Sequence, residues 1–134
     1  MSTAIDFNLS LSPVAQQAIA WLQAQRVQAW LVGGSVRDLL LQRPVHDLDL
    51  AAPGHGLRLA QRLADALGVP FFPLDAARDV GRVVLLEPDG SQTFVDVAAL
   101  RGPSLADDLR LRDFTFNALA LDLNALAAGV IDVT

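Results

Sequence analysis

Apolar residues along the chain recur with two different periods, and the switches between them mark out the elements. Residues 12–25 place Val14, Ala18, Trp21 and Leu22 at helical spacing, behind Ser12 as a cap and Pro13 at the first helical position. The apolar run 27–32 reads as a short strand. It ends at Gly33 and Gly34, after which Val36, Leu39, Leu40 and Leu41 resume a helical period until Pro44 closes it. Residues 46–51 alternate polar and apolar positions as a second strand. Leu59, Leu63 and Leu67, followed by Gly68, predict a helix over 57–67 with charges on its solvent side. The β-rich runs 80–86 and 93–100, joined by Glu87, Pro88, Asp89, Gly90 and Ser91, form a hairpin. A helix over much of 107–119 and a last strand over 119–123 complete the pattern. The architecture expected is α/β: a mixed sheet of about five strands, helices mainly on one face, and the carboxylates at the sheet edge.

Composition narrows the chemistry. With 134 residues, 52% hydrophobic and 19% charged, the chain has the size and apolar content of one folded domain. No apolar run reaches the roughly 18 residues of a membrane helix, and Asp6 stands where a secretory leader would carry a base, so a cytoplasmic protein without a membrane partner is expected. The absence of Cys excludes disulfides, thiolate zinc sites and cysteine nucleophiles. His46 and His55 are the only histidines, and both read as structural or exposed. A metal would therefore rest mostly on carboxylates. All ten bases are Arg against fifteen acids, a net charge of −5, so there is no lysine for a Walker loop or a Schiff base. Arg must do any phosphate work, and nucleic acid would need further surfaces to hold it.

Three features carry candidate chemistry. The turn Gly33-Gly34-Ser35, between a strand and a helix, exposes backbone N–H groups where a phosphate could sit, although tight turns use the same residues for steric reasons alone. Asp47 and Asp49, two apart on a strand, share a face with Leu48 buried behind them. That pair is either a solvated strand edge or a site for a hard divalent cation such as Mg2+. Arg37 lies between turn and pair as a further phosphate ligand, while Asp38 pairs locally beside it. Asp96, between Val95 and Val97 on the outer strand of the hairpin, faces either water or a metal site on the neighbouring strand. Trp21 and Trp30 read as core residues.

These residues resemble a known family. The stretch 31–50, LVGGSVRDLLLQRPVHDLDL, is similar to the signature of the head domain of class II tRNA nucleotidyltransferases, the CCA-adding enzymes, and of the closely similar bacterial poly(A) polymerases. The stretch 108–120, DLRLRDFTFNALA, resembles the family's Arg-Asp-Phe-Thr-x-Asn-Ala segment, and 95–102, VDVAALRG, resembles the strand bearing the third acid. The likeness spans roughly residues 27–132. It departs at Gln42, where a Gly is usual, and at Asp96, where Glu is common.

The resemblance implies a nucleotidyltransferase fold of the polymerase β-like kind. It implies Mg2+ held by Asp47 and Asp49, with Asp96 as a third catalytic acid. Gly33, Gly34, Ser35 and Arg37 would cradle a triphosphate, and Arg112, Asp113 and Asn117 would address the nucleotide sugar. The implied activity is transfer of nucleotides from CTP or ATP to an RNA 3′ end, most simply tRNA CCA addition. Poly(A) synthesis is the alternative within the family. A nucleotide-binding module without transferase activity and a transferase acting on small hydroxyl acceptors are the rivals outside it. Residues 1–134 are expected to be the head domain of a longer enzyme whose neck, body and tail would lie elsewhere.

Overall fold

The computed structural model describes residues 3–6, 10–100, 120–123 and 130–133. The predicted helix over 107–119, with Arg112, Asp113 and Asn117, lies outside the described residues. In chain order the elements are β1 (Thr3–Asp6), α1 (Pro13–Ala24), β2 (Trp30–Val32), α2 (Gly34–Leu40), β3 (Leu48–Ala52), α3 (Gly56–Leu67), β4 (Phe71–Asp75), β5 (Val80–Leu86), β6 (Gln92–Ala99), β7 (Ala120–Asp122) and β8 (Val130–Val133). The main sheet has six strands in the order β4-β5-β6-β3-β2-β7. Only the β3–β6 pair is parallel, which makes the sheet mixed as expected.

Its extra strand is β4. Pro73 and the exposed Phe72 and Leu74 break the alternation that would have announced it, and an edge position is where a strand tolerates proline. β1 pairs antiparallel with β8 in a separate two-stranded sheet, joining residues 3–6 to 130–133. No local pattern foretells a pairing across that much chain. Two further expectations are corrected. β6 is not an outer strand: its hairpin partner β5 covers one side and β3 pairs with the other, so Asp49 and Asp96 sit on central strands rather than at the sheet edge. Trp30 is half-buried on β2 rather than in the core, and Trp21 packs half-buried against the core with Arg62 5.7 Å over its ring.

Local chemistry explains the helices. Ser12 Oγ accepts from the Ala15 N–H at 3.2 Å, with Pro13 at the start of α1. Helix α3 ends at Gly68 in the left-handed region. Its start has no capping side chain of its own, since His55 does not serve. Asp79 supplies the cap from the β4–β5 turn: its Oδ1 accepts from Leu57 N at 2.9 Å, and its Oδ2 lies 3.5 Å from His55 Nδ1. One face of the sheet carries Leu48, Leu50, Val83, Leu85, Val95 and Val97, which share a single core with Ile19 and Leu22 of α1, Val36 and Leu39 of α2 and Leu59 and Leu63 of α3. Burying each large aliphatic side chain contributes about 1.5–3 kcal/mol, so the helices hold this face firmly. By strand alternation the opposite face carries Asp49, Arg82, Phe94 and Asp96. Among the described residues no helix is long and apolar enough to cross a membrane.

The close approach at Gly56 locks α3 onto the end of β6. A methyl group there would stand 2.7 Å from both Val97 O and Ala99 N and would collide with Asp79 O, all of them backbone atoms that cannot swing aside. Gly56→Ala is therefore expected to cost about 2 kcal/mol or more, read as a lower urea midpoint. Gln42 behaves oppositely. It follows α2 at φ +57°, a left-handed conformation, which explains why glycine suits this position better. Gln42→Gly is expected to be neutral to stabilising by up to about 1 kcal/mol in the same measurement, the relief of strain offset by glycine's freer unfolded state.

Candidate active site

Three adjacent strands bring the predicted acids together. The parallel register sets Asp49 of β3 opposite Asp96 of β6, and the hairpin register sets Asp96 opposite Arg82 of β5. Paired residues share a face, so Asp49, Asp96 and Arg82 form one charged row across the sheet. Apolar rows border it on both sides: Val84 and Phe94 towards one end of the strands, and Val80, Ala98, Ala51 and Trp30 towards the other.

Arg82 was not foreseen, because in an alternating strand one arginine reads as an ordinary solvent-facing residue. Here its guanidinium forks onto Asp96, Nε to Oδ1 at 2.8 Å and Nη2 to Oδ2 at 2.9 Å. It also lies 4.2 Å from the centre of the Phe94 ring. The hydrogen bonds to Asp96 push the Arg82 pKa up, desolvation opposes them, and the charges of Asp96, Asp47 and Asp49 add to the rise. Arg82 therefore lies within the field of all three acids.

Asp47 sits just before β3 rather than within it. Its Oδ1 accepts from Phe94 N at 3.0 Å, which fastens the carboxylate to the start of the parallel pairing. Asp49 is exposed on β3, with Leu48 and Leu50 buried on either side. The glycine turn stands against it. Gly33 has φ +73° and ψ −148°, a conformation available essentially to glycine alone, and its missing Cβ would be 3.7 Å from Asp49 Oδ2. Arg37 Nη2 comes within 3.3 Å of a Cβ position on Gly34, while its Nε lies 3.6 Å from Asp38 Oδ1, the local pairing expected. Ser35 is buried, and its hydroxyl donates to Val32 O at 2.9 Å, so this side chain braces the turn. His46 and His55 are exposed. The structure thus joins Gly33, Gly34, Arg37, Asp47, Asp49 and Asp96; Arg112, Asp113 and Asn117 lie outside the described residues.

The donor set fits a hard cation. Among the described residues no group of three or more acids and histidines is placed to hold a metal ion, and the candidate ligands are the pair Asp47 and Asp49. Magnesium is commonly bound by one or two carboxylates, with substrate phosphates and water completing the octahedron.

Residues 29–134 match the family model of the poly(A) polymerase head domain. The chain belongs to that family. Members of the family use divalent metal ions. A CC-adding tRNA nucleotidyltransferase of Geobacter sulfurreducens is 48% identical over 63 residues, which cover 47% of this chain and 14% of that protein. A tRNA nucleotidyltransferase solved with a primer tRNA and an incoming ATP analog is 31% identical, with a TM-score of 0.64 over 86% of this chain and 34% of its own. The Thermotoga maritima CCA-adding enzyme solved with tRNA_CCA, 24% identical, shares the fold at a TM-score of 0.70 over 99% of this chain and 32% of its own. The head-domain chain therefore spans about a third or less of the length of these relatives.

The strained turn yields its own test. Gly33→Ala meets only ordinary contact at Asp49, so its cost is that of the backbone, about 1–3 kcal/mol. Urea denaturation is expected to show that loss, whereas Gly34→Ala, at helical backbone, is expected to lose less.

Proposed function

We propose that this head domain is the catalytic part of a metal-dependent nucleotidyltransferase that adds nucleotides from CTP or ATP to an RNA 3′ end, tRNA CCA addition being the reaction best supported. The observation that carries the reading is the Asp47–Asp49 pair set against the Gly33 turn in a chain of the poly(A) polymerase head family. Relatives solved with CTP, with ATP and with tRNA support the choice of partners.

In the reaction the RNA 3′-hydroxyl oxygen bonds to the α-phosphorus of the triphosphate. The bond from that phosphorus to the bridging oxygen breaks, pyrophosphate leaves, and the hydroxyl proton passes to solvent. Asp47 and Asp49 would hold Mg2+, which supplies charge stabilisation to the attacking and leaving oxygens. The Gly33 and Gly34 amides and Arg37 offset the charge of the triphosphate and orient it. Phe94 N–H holds the Asp47 carboxylate in place, and β3 fixes Asp49 beside the turn. No covalent enzyme intermediate is required.

Thermal unfolding of the 134-residue chain with CTP or ATP, each with and without Mg2+, tests this reading. Ligand at about 100 times Kd would add about 2.7 kcal/mol. The expected result is Mg2+-dependent stabilisation that disappears in Asp47→Ala/Asp49→Ala while the variant keeps its fold. Equal stabilisation of parent and variant would remove the assignment. Stabilisation by CTP alone would favour CC addition, the activity named for the Geobacter relative.

A further inference from the structure

Asp96 faces Asp49 in register, yet it does not join Asp47 and Asp49 as a third acid placed for metal. Both of its oxygens are engaged by the guanidinium fork of Arg82, at 2.8 and 2.9 Å. The pair is mostly shielded, with side-chain exposures of 30% for Arg82 and 18% for Asp96. Phe94 holds the fork from a second direction through its ring, and its backbone N–H holds Asp47. One strand thus holds Asp47 through its backbone while Arg82 occupies both oxygens of the neighbouring acid.

We propose that Arg82 is a positioning residue that withholds Asp96 from the cation, so that Asp47 and Asp49 alone serve as its carboxylate ligands. The inference rests on the reading of Asp47 and Asp49 as the metal pair. A lysine would carry the charge but not the fork, so Arg is required for the full effect. Without Arg82, Asp96 is an uncompensated carboxylate beside Asp49, and a bound cation relieves their repulsion. Removing a positive residue and exposing a third acid should therefore tighten cation binding. Removing Arg82 and Asp96 together replaces one neutral pair by another and should leave binding close to that of the parent.

Mn2+ binding to the 134-residue chain, followed by water-proton relaxation without nucleotide or RNA, separates the outcomes. Arg82→Met is expected to lower the Mn2+ Kd about fivefold or more, and Arg82→Met/Asp96→Asn to return it to within about twofold of the parent. Arg82→Lys is expected to fall between parent and Arg82→Met. A purely structural Arg82 would lower Tm in Arg82→Met with no change in Kd, and that result overturns the proposal. A double variant binding about tenfold more weakly than the parent would make Asp96 a ligand and also overturn it. The double variant removes both charges, so it remains informative should Arg82→Met fail to fold. Asp47→Asn/Asp49→Asn serves as the control: parent-like Mn2+ binding there would sink the metal-site reading itself, whereas lost binding there with no tightening in Arg82→Met would sink only the role of Arg82.

Discussion

Two aspartates facing each other across a parallel strand pair repel, and much of this site follows from how the sheet accommodates them. The register of β3 and β6 is set by their buried residues, since Leu48, Leu50, Val95 and Val97 must all meet the helices. A slip of one residue would turn both core faces outward. The core on one side therefore dictates that Asp49 and Asp96 coincide on the other. A third strand supplies relief: β5 places Arg82 in the same row, forked onto Asp96.

The same strands connect stability to the site. β6 carries Asp96, donates through Phe94 N–H to Asp47, and at its far end receives α3 through the tight packing at Gly56. Asp79 ties that end again: it caps α3 with its carboxylate and accepts from Ala99 N with its carbonyl at 3.2 Å. Of these anchors only the Phe94 N–H bond uses an acid of the candidate site, Asp47; the packing at Gly56 and both bonds of Asp79 use none. The Gly56 and Asp79 anchors therefore survive replacement of the carboxylates, which should read out chiefly as chemistry rather than unfolding.

Much of this organisation was legible in the sequence where the signals are local. Ser12-Pro13 and the apolar spacing behind it mark α1, Gly68 marks the end of α3, and the Pro-Asp-Gly turn marks the hairpin. The glycine turn and the Asp47–Asp49 pair were legible as chemistry because they follow one another closely with Arg37 between them, a combination more specific than either part. Illegible were features created by distant pairing. β4 carries Pro73 and exposed apolar residues, β1 meets β8 from the opposite end of the chain, and β6 has its second neighbour 47 positions upstream in β3, where Leu48 faces Val95 only through the fold. Arg82 belongs to this class: its alternation announces a surface position, and only the order of strands converts that surface into the border of an acidic site.

The value of the Arg82–Asp96 contact lies in geometry more than in net stability. An exposed ion pair contributes about 0–1 kcal/mol, and burial of a pair adds attraction and desolvation of comparable size. This pair lies between those limits, flanked by the buried Val84 and Ala51 and only partly wetted. There a bidentate fork fixes both oxygens of one carboxylate at little net gain to folding. Asp49, on the same row, faces the glycine turn. Chemically similar acids in adjacent strands are thus given different surroundings, one gripped by a guanidinium of the protein and the other beside the glycine turn. That difference is what would let two carboxylates of one row take different duties under the proposed function.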